Sequence, residues 1–171
     1  MSRFGWFIFG VVVTCSVLAL GAYLYVNEGG VQMAVDSPQF PFEDALANMA
    51  LNASFAGSLN LKNPVPLNAD DLTAGAQTFK THCAGCHGLP GKPSSMGKRI
   101  FPAAPQLLEP NEMVTDDPVG ETYWKVTNGI RLSGMPEFKT ALPESQRWQV
   151  VMMLKHADKL PRAAQAALSA H

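Results

Sequence analysis

The stretch Thr81-His82-Cys83-Ala84-Gly85-Cys86-His87-Gly88 decides how the rest of the chain is read. It contains Cys-x-x-Cys-His, the pattern of a c-type haem attachment site. Two thiols three positions apart lie on one helical turn and reach the same porphyrin edge, where they add across the two vinyl groups. The histidine that follows brings its ring under the iron and supplies one axial nitrogen. Ala84 and Gly85 are small, which lets the backbone lie close against the macrocycle. Cys83 and Cys86 are therefore the expected covalent attachment residues of one haem c, and His87 its expected proximal ligand.

Three other chemistries use a cysteine pair. A thioredoxin-like dithiol follows a strand in a βαβ unit, whereas the residues upstream here, Leu72 to Lys80, have a helical pattern. A zinc site using His82 or His87 needs further ligands, and the one remaining thiol, Cys15, lies in an apolar segment. A structural disulfide suits an exported domain. Covalent haem is the reading carried forward.

The 171 residues allow one domain of ordinary size plus extra segments. A net charge of -1 excludes nucleic acid as an expected partner. Thirteen prolines and fourteen glycines, with little alternation of apolar and polar residues, predict an all-α fold of a few helices joined by long loops. Haem would itself form much of the core, so a loop-rich domain can still be stable.

Phe4 to Val26 is a run without a charged residue. At about 1.5 Å per residue it is long enough to cross a bilayer core of about 30 Å. Phe4, Trp6 and Phe7 cluster at one end, and Tyr23 and Tyr25 at the other, as interfacial belts do. Arg3 precedes the run, Glu28 and Asp36 follow it, and the next basic residue is Lys62. The positive-inside rule then makes residues 1–3 cytoplasmic and everything after Val26 extracytoplasmic. A cleaved signal peptide is the alternative, but the run exceeds a usual h-region and no good cleavage site follows. Cys15 lies mid-span after Thr14 and reads as a small apolar residue rather than a lipidation site. Haem is joined to Cys-x-x-Cys-His proteins on the outer face of the bacterial inner membrane, so the predicted topology and the motif agree.

Residues 27–65 read as a linker with a short helix over 42–55, where Phe42, Leu46, Met49 and Ala53 fall at helical spacing. That stripe is expected to pack on the haem domain, the membrane surface or a partner. Lys62 to Pro66 is extended and marks the boundary. The domain proper is expected over 66–161. Asn68-Ala69-Asp70-Asp71 caps a helix from about Leu72 to Thr81, with Gly75 and Phe79 on one face. Prolines keep Gly88 to Pro118 mostly in loops. Helices are predicted over 120–128 and from Pro143 to about His156, and Leu160-Pro161 closes the second. Residues 162–171, rich in alanine, read as a frayed or partly helical tail.

These parts together resemble the class I, one-haem cytochromes c, in a membrane-anchored form. The likeness covers about Pro66 to Pro161. It rests on Gly75 and Phe79, then Cys83 to Gly88, then Ala104-Pro105-Gln106-Leu107, Asn128-Gly129, Gly134-Met135-Pro136 and the helix with Trp148. The resemblance implies helices wrapped around haem, with the first and last crossing near Gly75 and Phe79. It implies His87 and Met135 as the axial pair; a thioether is a soft neutral ligand that raises the potential. Met96, Met113, Met152 and Met153 are the rival sulfurs. Pro105 matches the proline whose carbonyl accepts the proton of the proximal imidazole. Trp124, Asn128 and Arg99 are candidate contacts to the propionates or pocket wall, although Trp124 equally suits core packing and Arg99 a solvated face. One departure is Met153, where the family often has an aromatic residue; it puts the helix-crossing geometry in question.

The function implied is single-electron transfer rather than enzymatic turnover, since Met135 would close the sixth position. The implied partners are the membrane and redox proteins within it, such as respiratory complexes, with the chain acting as a shuttle or as a cytochrome subunit. Two alternatives stand beside it: a haem enzyme or gas sensor with an open sixth site, and a structural subunit of a redox complex. The sequence shows no lysine cluster around Met135; Lys92, Lys98 and Arg99 are the nearest basic group, with Lys125 and Arg131 elsewhere.

Overall fold

The computed structural model describes residues 2–64 and 67–169. The expected boundary at 65/66 and the last two residues lie outside the described residues. The chain divides into two compact units, residues 1–44 and 45–171. Among the described residues there are seven α-helices and no strand.

The first unit is dominated by α1, Arg3–Asn27, capped by the Ser2 hydroxyl accepting from the Gly5 N–H at 3.2 Å. Every turn of α1 is exposed, which suits a helix whose surroundings are lipid rather than protein. Its length and composition make it a candidate membrane span.

In the second unit, α3 (Ala69–His82) and α6 (Glu144–Lys155) form the central crossing. Helix α3 starts where its chemistry dictates. The Asn68 side chain accepts from the Asp71 N–H at 2.8 Å, Asp70 and Asp71 occupy the first turn, and Lys80 and His82 the last. That charge order complements the helix dipole. Leu72, Gly75, Ala76 and Phe79 recur at three- and four-residue intervals and are all buried. They meet Val150, Met153 and Leu154 of α6. A side chain at Gly75 would overlap the Gln149 carbonyl group and come within 3.0 Å of Met153 Cβ, so glycine is what allows the two backbones to touch. Met153 is fully buried in that crossing. A flexible thioether fills the space in which the family often has a ring, and the crossing forms with it.

The segment expected as a C-terminal tail is instead α7, Arg162–Ser169, packed on α3. Ala164 and Leu168, four residues apart on one face, are buried in the same cluster as Phe79 and Met153. The alanine content hid this, because alanine is neutral in an apolar/polar pattern yet lets helices approach. Leu168→Ala is expected to cost about 2–5 kcal/mol, read as a lower denaturant midpoint; an unchanged midpoint would return the segment to a tail.

Helix α2 (Glu43–Phe55) covers the predicted range almost to the residue. Of its expected stripe, Leu46, Met49 and Ala53 are exposed and do not pack on the helices of the second unit. Phe55, at the end of the helix, is the residue that buries, with its ring 6.4 Å from that of Trp124 and the Lys125 ammonium 5.3 Å above it. The following turn, Ala56–Ser58, lies against α5 (Val119–Asn128), and a Cβ at Gly120 would overlap the Ser58 carbonyl. The end of the expected linker is thus built into the second unit.

Candidate haem-attachment site

The site grows from the C-terminus of α3. Cys83 caps that helix, its N–H donating to the Phe79 carbonyl at 2.8 Å. The chain turns into the one-turn helix α4 (Ala84–His87), in which the N–H groups of Cys86 and His87 both donate to the Cys83 carbonyl, at 3.1 and 2.9 Å. Gly88 ends it at φ +70, a conformation that glycine adopts without strain. Cys83, Cys86 and His87 therefore share one turn, fixed from behind by the buried ring of Phe79.

The His87 Nδ1 lies 2.7 Å from the Pro105 carbonyl oxygen. A carbonyl only accepts, so Nδ1 carries the proton and donates it. The other ring nitrogen, Nε2, is left with its lone pair, the state a metal ligand requires. Burial lowers the imidazole's pKa and the Pro105 bond partly offsets this, which favours the neutral ring. Burial, with Cys86 beside it, pushes the Cys83 thiol up to about 12. The nucleophilic cysteine of a redox dithiol is held low instead.

The loop that carries Pro105 is held by residues to which the sequence reading gave no role. Gln106 is the one buried polar side chain among the described residues. Its Nε2 donates to the carbonyls of Ala104 at 2.8 Å and Cys86 at 3.2 Å, and its Oε1 accepts from the Ser94 N–H at 2.6 Å. Ser94 in turn donates its hydroxyl to the Gly85 carbonyl at 2.5 Å. Gly97 is buried against the Cys86 carbonyl, where a Cβ would collide. A glutamine within the run Pro105-Gln106-Leu107-Leu108 was the available signal.

Met135 sits on a loop with its own internal bonds. Its N–H donates to the Ser133 hydroxyl at 3.1 Å, that hydroxyl donates to the Ile130 carbonyl at 2.7 Å, and the Ile130 N–H donates to the Met135 carbonyl at 3.2 Å. Gly129, at φ +66, lies so close to the backbone of Pro136 that a Cβ would stand 2.6 Å from it. Two contacts join this loop to the attachment segment. A Cβ at Gly134 would stand 2.8 Å from Ile100 Cδ1, just beyond the Gly97–Arg99 turn that rests on Cys86. The Phe138 ring meets that of His82 edge-on at 6.5 Å. Met135 itself is half-buried against Val126, Trp148 and Val151. Of the rival sulfurs, Met153 is core, Met96 is exposed, and Met113 and Met152 are half-buried.

The three other candidate pocket residues stand as follows. Trp124 leans on Phe55. The Asn128 amide donates to the Trp124 carbonyl at 2.9 Å, within its own helix. Arg99 is exposed on its turn. Arg147 Nε and Trp148 Nε1 are buried donors for which the chain supplies no acceptor among the described residues.

The donor set fits haem c. Two free thiols and a histidine with its lone pair on Nε2 occupy one turn. Among the described residues, no group of three or more His, Cys, Asp or Glu side chains is placed to hold a bare metal ion. Residues 70–152 match the family described as cytochrome C oxidase, cbb3-type, subunit III. No curated protein matches the chain. The matched span runs from the first turn of α3 to the middle of α6 and so contains the attachment turn, the Pro105 loop and the Met135 loop. Residues 70–152 thus match a cytochrome c-type domain, consistent with the class I cytochrome c family, whose chemistry is haem-based electron transfer.

Proposed function

We propose that this protein carries single electrons through one haem c joined covalently to Cys83 and Cys86, with His87 and Met135 as axial ligands. The observation that carries the reading is the His87–Pro105 bond, which leaves Nε2 as the nitrogen free to ligate. Bound haem would supply a one-electron iron couple. The chain's residues do the rest: Pro105 orients the imidazole, Gln106 holds the loop behind it, and the hydrogen-bonded loop at Met135 presents a thioether. Helix α1 would tether the domain to the outer face of a bacterial inner membrane, with residues 1–3 on the cytoplasmic side. Tethering raises the effective concentration of partners in the same bilayer. This fits a shuttle between respiratory complexes or a cytochrome subunit of one, and the matched family's description favours association with an oxidase.

The fold also supports a partner surface that the sequence concealed. Segments 88–108 and 129–136 contain Lys92, Lys98, Arg99 and Arg131 and no acidic residue. The contact of Ile100 with Gly134 unites them on one side of the domain. Leu132, on the same loop, is 91% exposed and has φ +63. An exposed apolar side chain on a loop that also carries Arg131 suits a small, transient contact with a redox partner.

The test is a visible spectrum of the purified protein, oxidised and reduced, with a pyridine haemochrome assay. Haem that stays on the denatured chain, with a haemochrome of two saturated vinyl groups and a far-red sulfur-to-iron band, is the expected result. Absence of haem from a strain competent to mature c-type cytochromes would overturn it. The packing of Met135 into the Val126–Trp148–Val151 cluster favours a second reading, a haem enzyme or gas sensor. Covalent haem lacking the far-red band and binding carbon monoxide rapidly would select that one.

A further inference from the structure

The geometry points to Glu112 as a positioning residue that acts on His87 through a single peptide group; this rests on the proposed ligation by His87. The Pro105 carbonyl and the Gln106 N–H belong to the same planar trans peptide and point in opposite directions. On one side the carbonyl accepts the His87 Nδ1 proton at 2.7 Å. On the other side the N–H donates to the Glu112 carboxylate. Charge, peptide and imidazole therefore form one continuous line.

The physics of the amide gives that line a direction. A carboxylate accepting from the N–H draws its proton away from nitrogen and shifts amide electron density onto the carbonyl oxygen. That oxygen becomes a stronger acceptor for the His87 proton. An imidazole whose Nδ1–H is held more strongly has a more basic Nε2, and a more basic axial nitrogen favours the ferric over the ferrous state. Glu112 thus lowers the reduction potential without touching the ligand.

The surrounding bonds hold the line in place. The Gln106 side chain is fixed by Ala104, Cys86 and Ser94. The Gln106 carbonyl accepts from the Glu109 N–H at 2.8 Å, and the Glu109 carbonyl from the Glu112 N–H at 2.9 Å, so two consecutive turns deliver the carboxylate back to the peptide. Glu109 is the natural comparison. It stands three residues away, but its carboxylate accepts from the Gly91 N–H at 3.0 Å and does not touch the Pro105–Gln106 peptide. Glu112 is exposed, so its replacement opens no cavity.

The experiment measures midpoint potentials of the full-length haem-loaded protein and its Glu112→Gln, Glu112→Ala and Glu109→Gln variants. Alongside them, the His87 ring N–H resonance is followed by NMR in the reduced state. Both Glu112 variants are expected to raise the potential by more than Glu109→Gln does and to move the ring N–H resonance upfield, the sign of a weaker bond to Pro105. A potential and resonance unchanged in Glu112→Gln, or a shift no larger than that of Glu109→Gln, would overturn the relay while leaving His87 ligation intact. A wild-type protein whose haem is not ligated by His87 would overturn the ligation and the relay together.

Discussion

Met135→Ala is expected to turn a six-coordinate, carbon-monoxide-silent haem into one that binds carbon monoxide and has a markedly lower potential. The thioether is soft, neutral and a better partner for ferrous than for ferric iron, so its loss removes a preferential stabilisation of the reduced state. Axial ligation spans about 0.8 V across haem proteins, and the drop should be an appreciable part of that range. The loop around the residue makes the outcome specific. The bonds among Ile130, Ser133 and Met135 use backbone and hydroxyl groups that alanine retains. The close approach of Gly129 to Pro136 is likewise independent of the sulfur. The loop should therefore keep its shape and bring no other ligand inward.

The half-buried side chain also packs against Val126, Trp148 and Val151, so the variant should lose some stability, less than the about 2–5 kcal/mol of a fully buried methionine. Stability loss alone would not admit carbon monoxide, which separates ligation from packing. The checks are the carbon monoxide difference spectrum, the far-red band and the midpoint potential. A variant that retains the wild-type spectrum and potential would remove Met135 as ligand and turn attention to Met113, the half-buried rival outside the helices.

What the sequence made legible was local. The attachment turn, the cap at Asn68 and the stripe Leu72–Gly75–Ala76–Phe79 are all patterns within a few residues, set by helix period and capping chemistry. The bounds of α2, α5 and α6 followed from the same signals. What stayed hidden depended on chain closure. Gln106 and Glu112 bond to groups brought near by two turns and by the attachment turn itself, and no periodicity announces a loop folded on its own carbonyls. Arg131 lies thirty-two positions from Arg99 in the chain, and only the Ile100–Gly134 contact shows that their loops adjoin. Helix α7 escaped because a short alanine-rich segment after Leu160-Pro161 reads as a tail, although Ala164 and Leu168 fall four apart on one face. The Pro105 carbonyl was legible only through family likeness, since a backbone acceptor leaves no mark on residue type.

Gly75→Val is expected to damage the fold at its central helix crossing. Glycine within a helix is ordinarily a cost of about 1 kcal/mol against alanine, so its presence in the middle of α3 needs a reason. The reason is the crossing. A Cβ at Gly75 would stand 2.6 Å from the Gln149 carbonyl carbon, closer still to its oxygen, and 3.0 Å from Met153 Cβ. The first two atoms are backbone of α6 and cannot rotate away; α6 must move bodily. That displacement would also open the contacts of Phe79 and Met153, both fully buried.

Overpacking of this kind costs about 1–3 kcal/mol and occasionally more; two branched methyl groups against a backbone put valine at or above the upper end. The gain in helix propensity recovers less than 1 kcal/mol of it. Gly75→Ala should fall between, with the clash outweighing the propensity gain. Gly57→Ala, at a glycine whose Cβ would meet nothing within 4 Å, serves as the control and should be nearly silent. Denaturant midpoints order the three. The same series also reads the path from core to site. Phe79 holds the Cys83 N–H through its carbonyl, so a displaced α3 carries the attachment turn with it, and covalent haem yield should fall in step with stability. A Gly75→Val protein with the wild-type midpoint would mean that α3 and α6 do not cross here.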